Sequence, residues 1–447
     1  MHENCVSREE HEKAIRQLQI RKEEFEKLQA RCVELEKLVQ ILMSPQIPSS
    51  KKIIKEKKEE PREPKKHGAP IGHKGATRKP PEPNRVIDLR DQIPAKSPRY
   101  GANILSIDPF EKIIEDIEIV KKITKFIGYE VTYESGERFV TTHPDLPKRG
   151  RFGPNITAIW ENMHYIGTIP FERLSRTSEN CFDIGISPSG LQGVIYRNSK
   201  IFEPYFEEIK ENVKNSHYAG SDETKYSDSW LWNISTNADV LVLMRNSRSS
   251  KVLREVFGNS YSGILNSDCF SAYELFEARE YQKCWAHVLD DAKDLAKYNN
   301  EGAELRKELS RMYKYIKKTK NNREEDTPKV RYWIWRQKQI IKLWLDKKYE
   351  SKAVLNLVKR MNKYLNQWFT CLKYDFVEPT NNAREREIRK NVLSRKVSGC
   401  HRSEKGKRAR EIMMSIILTE QKRNHNPFDY ISNTIRNHNS NIMKTWS

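Results

Sequence analysis

The sequence predicts a mixed α/β core set among helical segments. Three observations predict it. Between residues 216 and 299, short apolar runs and helical stretches follow one another as strand-strand-strand-helix-strand-helix-strand. On either side, at 151–215 and 300–372, apolar residues recur at helical spacing. The 447 residues include 9 Trp, 15 Phe and 19 Tyr, enough large side chains to fill more than one core. At about 150 residues per domain the length allows roughly three domains.

Charge narrows the classes of function. Lys+Arg is 81 and Asp+Glu is 61, a formal net charge of +20. A chain this basic most often meets a polyanion; charge kept for solubility alone is the alternative. No apolar run approaches the ~20 residues of a spanning helix, so no membrane is expected. No charged-then-apolar signal segment opens the chain. Seven Cys, scattered from Cys5 to Cys400, argue against a disulfide framework and for a reducing cytoplasm.

Taken in order, residues 8–43 read as a heptad helix. Leu18, Phe25, Cys32 and Val39 fall seven apart, and Ala14, Leu28, Leu35 and Leu42 fill the second series, with Arg21 interrupting it. Such a seam predicts a coiled coil and self-association; a lone amphipathic helix folded onto its own domain is the alternative. Residues 44–85 form a basic linker punctuated by Pro45, Pro48, Pro61, Pro64, Pro70, Pro80, Pro81 and Pro83. Alternation at Ile113-Ile114, Ile117-Glu-Ile119-Val120 and Tyr129-Glu-Val131-Thr-Tyr133 predicts a small β-rich module over 86–150. That module has no Cys, so it can hold no thiolate zinc site.

Residues 151–215 should be helical, with helices over 155–165, from 170, and from Ser187-Pro188-Ser189, where proline suits the first turn. Three short helices with a basic flank fit a helix-turn-helix-like DNA-binding unit or a plain helical connector. In the α/β region, strands are expected at 218–227, 230–236, 240–244, 263–266 and 281–285, with helices at 249–257 and 271–278. Residues 300–372 form a helical insertion. Val354, Val358, Met361, Leu365 and Trp368 mark one apolar face there, and Trp333, Trp335 and Trp344 belong to the helix before it; both sets read as core. The last helices are expected at 380–393 and 405–422, within a segment 373–430.

Two acids stand at informative places. Asp222 lies inside the first strand and Asp268 at the carboxyl end of the fourth. If those strands are neighbours, the two carboxylates face each other, which is costly unless a cation sits between them. Mg²⁺ prefers a few carboxylates together with water and phosphate oxygens. Glu385 is the candidate third acid, on a helix that Thr380 could cap. From spacing alone, Glu385 could equally form an i,i+4 surface pair with Arg389, and the two Asp could be an edge charge and a turn residue.

Four segments bear on that choice. They are Asp222-Glu223-Thr224, Gly263-Ile-Leu-Asn-Ser-Asp268-Cys-Phe-Ser-Ala-Tyr273, Cys284-Trp285-Ala286-His287 and Pro379-Thr380-Asn381-Asn382-x-x-Glu385-Arg386-x-Ile388-Arg389. Together they resemble the signature blocks of the DDE transposases of the insertion sequence sixty-six family. Gly72-His73-x-Gly75, Leu146-Pro147-x-x-Gly150-Arg-Phe-Gly153 and Arg395-Lys396 fit the same pattern.

The resemblance implies a ribonuclease-H-like catalytic core, with the helical insertion between the second Asp and the Glu. It implies Asp222, Asp268 and Glu385 as catalytic, metal-binding acids for two Mg²⁺ or Mn²⁺ ions, with Glu387 a competitor that the motif disfavours. The activity implied is metal-dependent end cleavage and strand transfer on terminal inverted repeats and target DNA, by a homo-oligomer in a prokaryotic, nucleoid-associated setting. Arg384, Arg386, Arg389, Lys390, Arg395 and Lys396 would hold DNA backbone beside the acids; a solvated basic face is the alternative. His287 matches a family position, and a structural histidine fits it as well. Family members commonly carry a Cys-rich zinc finger, but this chain has no Cys between Cys32 and Cys181, so zinc is not expected. An inactive or repurposed transposase, or a metal-dependent nuclease on the same core, is the other reading.

Overall fold

The computed structural model describes residues 81–399 and 403–441, and helical positions 19, 24–26, 29 and 31. Two compact units emerge, residues 54–123 and the remainder. The heptad helix and the linker lie mostly outside the described residues. Of the seam residues only Phe25 is described; it is helical and exposed. Among described residues, no helix is long and apolar enough to cross a membrane.

The described part of the 54–123 unit holds a 3-10 turn at Arg90–Gln92 and a single bridge between Lys96 and Asn103. The strands expected around 113–114 and 117–120 do not form there. Ile114, Ile117 and Val120 are exposed and have no ladder partner or core to face among the described residues. Alternation marks a strand only when one face is buried. Of the β-rich module expected over 86–150, the larger unit keeps one exposed hairpin, β1 (Glu130–Thr132) antiparallel to β2 (Arg138–Val140). Gly136, at φ +82°, turns it.

Four helices follow: α1 (Pro154–Tyr165), α2 (Phe171–Phe182), α3 (Pro188–Ser199) and α4 (Glu203–Lys214). Proline opens α1 and α3, and the Ser187 hydroxyl accepts the Gly190 amide at 3.1 Å as an N-cap. α4 continues the helical run beyond the three helices expected. Tyr165, Ile195 and Phe206 join the same core as the central strands, so α1, α3 and α4 are built into the fold, while Leu174 of α2 packs in a smaller cluster with Trp160 and Leu191.

The sheet comprises β3 (Tyr218–Tyr226), β4 (Ser229–Ser235), β5 (Val240–Arg245), β6 (Ser260–Ser267) and β7 (Glu277–Lys283). Their order is β5-β4-β3-β6-β7. The first three pair antiparallel, while β6 is parallel to both β3 and β7. α5 (Lys251–Phe257) and the four-residue α6 (Ser271–Glu274) make the crossovers. β7 starts earlier than its apolar end suggested, because as an edge strand it begins with the polar run Glu277-Ala-Arg-Glu280. Successive residues feed opposite faces: Ala219 and Leu265 enter one core, Tyr218 and Ile264 the other.

The second core is the insertion, built from α7 (Trp285–Leu295), α8 (Asn300–Asn322), α9 (Pro328–Trp344) and α10 (Lys352–Lys363). Val354, Val358, Met361 and Trp368 are fully buried, as their spacing requires. Trp344 is buried too, but Trp335 is exposed and stacks on exposed Tyr332, so it is not core.

α11 (Asn382–Val397), α12 (Glu404–Lys422) and α13 (Pro427–Asn441) close the chain. α12 covers the free edge of β5. Thr419 Oγ1, Ser415 Oγ and Glu411 Oε1 accept the amides of Val240, Val242 and Met244 at 2.9, 2.8 and 2.7 Å. Four helical residues rise about 6 Å, close to the ~6.8 Å of two strand residues, so a side chain every fourth position meets every second amide. Each of these buried amides left unpaired would cost about 1–3 kcal/mol.

Candidate active site

β3 and β6 are parallel neighbours with Gly220 opposite Asn266. Two residues further on each chain come Asp222, within β3, and Asp268, the first residue past β6. The backbone at Asp268 is held in place. Its carbonyl accepts from buried Lys283 Nζ at 2.7 Å and from Ser267 Oγ at 3.0 Å, and its Oδ1 accepts the Phe270 amide at 2.9 Å.

Glu385 is positioned by the segment before α11; its charge acts on Asp222, but among the described residues only Cys284, His287 and Glu385 offer three ligand atoms within 4.8 Å of one another. Asn266 Nδ2 donates to the carbonyls of Glu378 (2.9 Å) and Thr380 (3.2 Å), and the Trp285 amide donates to Pro379 at 3.1 Å. Asn381 bridges both sides: its side-chain amide donates to the Ser221 carbonyl at 2.9 Å and its backbone amide to Cys284 Sγ at 3.1 Å. Its own carbonyl accepts the amides of Arg384 and Glu385, which starts the helix without the side-chain cap expected of Thr380. The Pro-Thr-Asn-Asn block thus works as a clamp that sets Glu385 in the first turn of α11.

The charges crowd one another. The Asp222 carboxyl is pushed well above the usual carboxylate range, first by burial and then by the negative charges of Glu223, Asp268 and Glu385, while His287 pulls the other way. Glu223 is raised to about 7 by burial and the Asp268 charge, opposed by its Tyr273 and Arg248 partners. It is held by the Tyr273 hydroxyl at 2.5 Å and Arg248 Nη2 at 2.8 Å, with that guanidinium 3.7 Å from the Phe270 ring centroid. Among the described residues the Asp222 carboxylate accepts only the Glu223 amide, with no cationic hydrogen-bond donor. A divalent cation at Asp222, Asp268 and Glu385 would relieve their mutual repulsion, and hard carboxylate oxygens suit Mg²⁺ or Mn²⁺.

Glu387 is otherwise engaged. It accepts from Asn233 Nδ2 and from Lys422 Nζ, both at 2.8 Å. The six basic residues expected to face DNA divide. Arg386, Arg389 and Lys396 are exposed on α11. Arg384 is buried, its guanidinium 5.1 Å from the Tyr218 ring centroid and donating to the Ser235 carbonyl at 3.2 Å. Arg395 is buried and donates to the Lys225 carbonyl, and partly buried Lys390 donates to Gln421. Arg384 and Arg395 therefore brace α11 against β3 and β4, a correction to the expected DNA contacts. A 3.6-residue period turns these two positions inward while leaving 386, 389 and 396 outside.

Cys284 and His287 complete the neighbourhood. Cys284 precedes α7 and is buried; His287 lies one turn along. His287 Nδ1 is buried, with no hydrogen bond among the described residues, 3.7 Å from Glu385 Oε1. The imidazole is pushed up to about 10, chiefly by its interaction with the Cys284 sulfur, against the effect of burial, with the Asp268 and Glu385 charges adding. Both belong to the Cys284-Trp285-Ala286-His287 block, for which no role follows from the sequence alone, although Cys-x-x-His is one helical turn and a spacing at which two ligands share a face.

A family model described as Transposase IS66 family matches residues 149–409, more than half of the chain. No curated protein matches it.

Proposed function

The chain belongs to the IS66 transposase family, and from that premise we propose that it is a DDE-type DNA transposase, cutting the ends of an insertion sequence and joining them to target DNA. One observation carries the reading. Three acids from segments far apart in sequence support it: Asp222 and Asp268 stand at matching positions of adjacent parallel strands, and Glu385, on the helix that Asn381 ties to β3, is near enough for its charge to raise the Asp222 carboxyl. The strand order, with three antiparallel strands followed by two parallel ones, supports a ribonuclease-H-like core into which α8 to α10 are inserted.

Asp222, Asp268 and Glu385 would hold two divalent ions, which supply Lewis-acid activation of the attacking oxygen and neutralise charge on the phosphate. The chain's own residues contribute position. Asp222 is fixed by the centre of the sheet, Asp268 by Lys283, and Glu385 by the clamp, so the acids need little reorganisation when DNA arrives. Arg386, Arg389 and Lys396, exposed on the same helix as Glu385, would hold backbone phosphates. In the first step water opens a phosphodiester at the element's end and leaves a 3′-hydroxyl. In the second that hydroxyl attacks a target phosphodiester and displaces a target 3′-oxygen, so one bond forms as one breaks. Self-association through residues 8–43 would bring two such sites to two ends.

Asp222→Asn tests the reading. Cleavage and strand transfer on end-containing DNA should fall below detection while DNA affinity stays within a few-fold. Retained strand transfer would remove Asp222 from the site. Cleavage without joined products from the unaltered protein would point to a nuclease.

A further inference from the structure

We propose that Cys284, His287 and Glu385 form a second cation site, selective for a thiophilic divalent ion such as zinc, which shares Glu385 with the acid cluster. One potential ligand atom from each residue lies within 4.8 Å of the others. Four-coordinate zinc, with bonds of about 2.0–2.3 Å, sets its ligands roughly 3.4–3.8 Å apart. The three atoms therefore need to close by at most about 1.4 Å, a shift that Glu385 and His287 side-chain rotation can supply.

Three features make this more than a chance grouping. Cys284 and His287 sit at the first turn of one helix, and their backbone is pinned by the Trp285 amide on Pro379. Among the described residues no hydrogen bond reaches the buried His287 Nδ1, which lies 3.7 Å from Glu385 Oε1. Cys284 Sγ already accepts the Asn381 amide, which leaves the sulfur further lone pairs for a metal.

The donor set decides the ion. Sulfur, imidazole nitrogen and one carboxylate oxygen suit zinc, while magnesium prefers oxygen alone. Three protein ligands leave the fourth position open to water or to an incoming phosphate oxygen. The expectation that zinc plays no part rested on the absence of Cys between Cys32 and Cys181; Cys284 lies outside that stretch, and this proposal departs from that expectation.

One consequence rests on the proposed function. A thiophilic ion bound here draws Glu385 away from Asp222 and Asp268, so zinc should inhibit a magnesium-supported reaction. The existence of the site does not depend on that reading.

Titration of the full-length, metal-stripped protein with Co²⁺ tests the site directly. A thiolate-to-cobalt charge-transfer band in the near ultraviolet should grow to one equivalent and be displaced by Zn²⁺. Cys284→Ser should abolish the band. His287→Gln should weaken Co²⁺ binding by at least roughly 10–100-fold, the range seen even for outer partners of a metal site, and it gives a second readout should Cys284→Ser fail to fold. Asp222→Asn should keep the band, so a failed transposase reading and a failed metal site remain distinguishable. Absence of the band in the unaltered protein, or its survival in Cys284→Ser, would overturn the proposal.

Discussion

The side-chain amide of Asn381 donates to the carbonyl of Ser221 at 2.9 Å, joining the start of the Glu385 helix to the residue that precedes Asp222. The two positions are 160 residues apart in the chain. Asn381 is buried, and its backbone also touches Cys284. Through this one residue the third acid is referenced to the first.

Asn381→Ala should therefore act on catalysis more than on DNA binding. Loss of the bond frees the first turn of α11 to shift, and a displacement of about 1 Å at a reacting group can cost on the order of 100-fold in rate. Strand-transfer rate should fall by about 10- to 100-fold with DNA affinity within a few-fold. Equal losses in both would mean that Asn381 supports the fold and not the placement of Glu385.

Gly220 and Arg384 form the next brace. A Cβ at Gly220 would lie 2.3 Å from Arg384 Nε and 2.8 Å from its Cδ and Cζ. The guanidinium cannot swing away cheaply, because it bonds the Ser235 carbonyl and covers the Tyr218 ring. Gly220→Ala should destabilise by about 1–3 kcal/mol, the usual cost of overpacking. Denaturant unfolding measures it; an unchanged midpoint would show that α11 adjusts without strain.

Much of this arrangement was legible in the sequence where period and burial agree. β3, β4 and β5 alternate or run apolar against a real core, and their limits fall within about two residues of expectation. The runs at 113–120 have the same alternation but no neighbouring strand, and no ladder forms. β7 hides its polar first half at the sheet edge, so the period pointed to its end. Asp222, Asp268 and Glu385 are proposed as the site on the family resemblance, since spacing alone left surface and turn readings open for all three. The inward turn of Arg384 and Arg395 could not, because a charged residue on a helix is ordinarily solvated and only the contacts with Ser235 and Lys225 bring these two in. Asn381 reads as a helix cap in one dimension and acts as a strap in three.

Buried Glu161 on α1 makes stability depend on pH. Its carboxyl is raised from 4.5 to about 8 by burial, with Asn198 pulling the other way. Between those values the folded chain holds a proton that the unfolded chain has lost. Stability is thus fully present below 4.5 and is lost as pH rises through 8, with a limiting slope of about 1.4 kcal/mol per pH unit. Neighbouring His164 is lowered from 6.5 to about 4, also by burial, and gives the opposite slope, confined below 6.5. Above 6.5, thermal unfolding of Glu161→Gln should lose less stability per pH unit than the unaltered chain, so that the two curves diverge towards pH 8. Parallel curves would remove Glu161 as the titrating group.

The division of the basic residues on α11 bears on DNA. Each phosphate contact contributes about 0.9 to the slope of log affinity against log salt. Exposed Arg386, Arg389 and Lys396 can make such contacts without disturbing the fold, whereas buried Arg384 and Arg395 already serve carbonyls of the sheet. Replacing the three exposed residues by Ala should lower the slope by up to about three and weaken binding across sequences alike. Replacing Arg384 or Arg395 should instead lower the unfolding midpoint, since a buried carbonyl loses its donor. Fluorescence anisotropy across a salt series, read beside thermal unfolding, separates the two outcomes. An unchanged slope in the triple variant would move the DNA path off this helix.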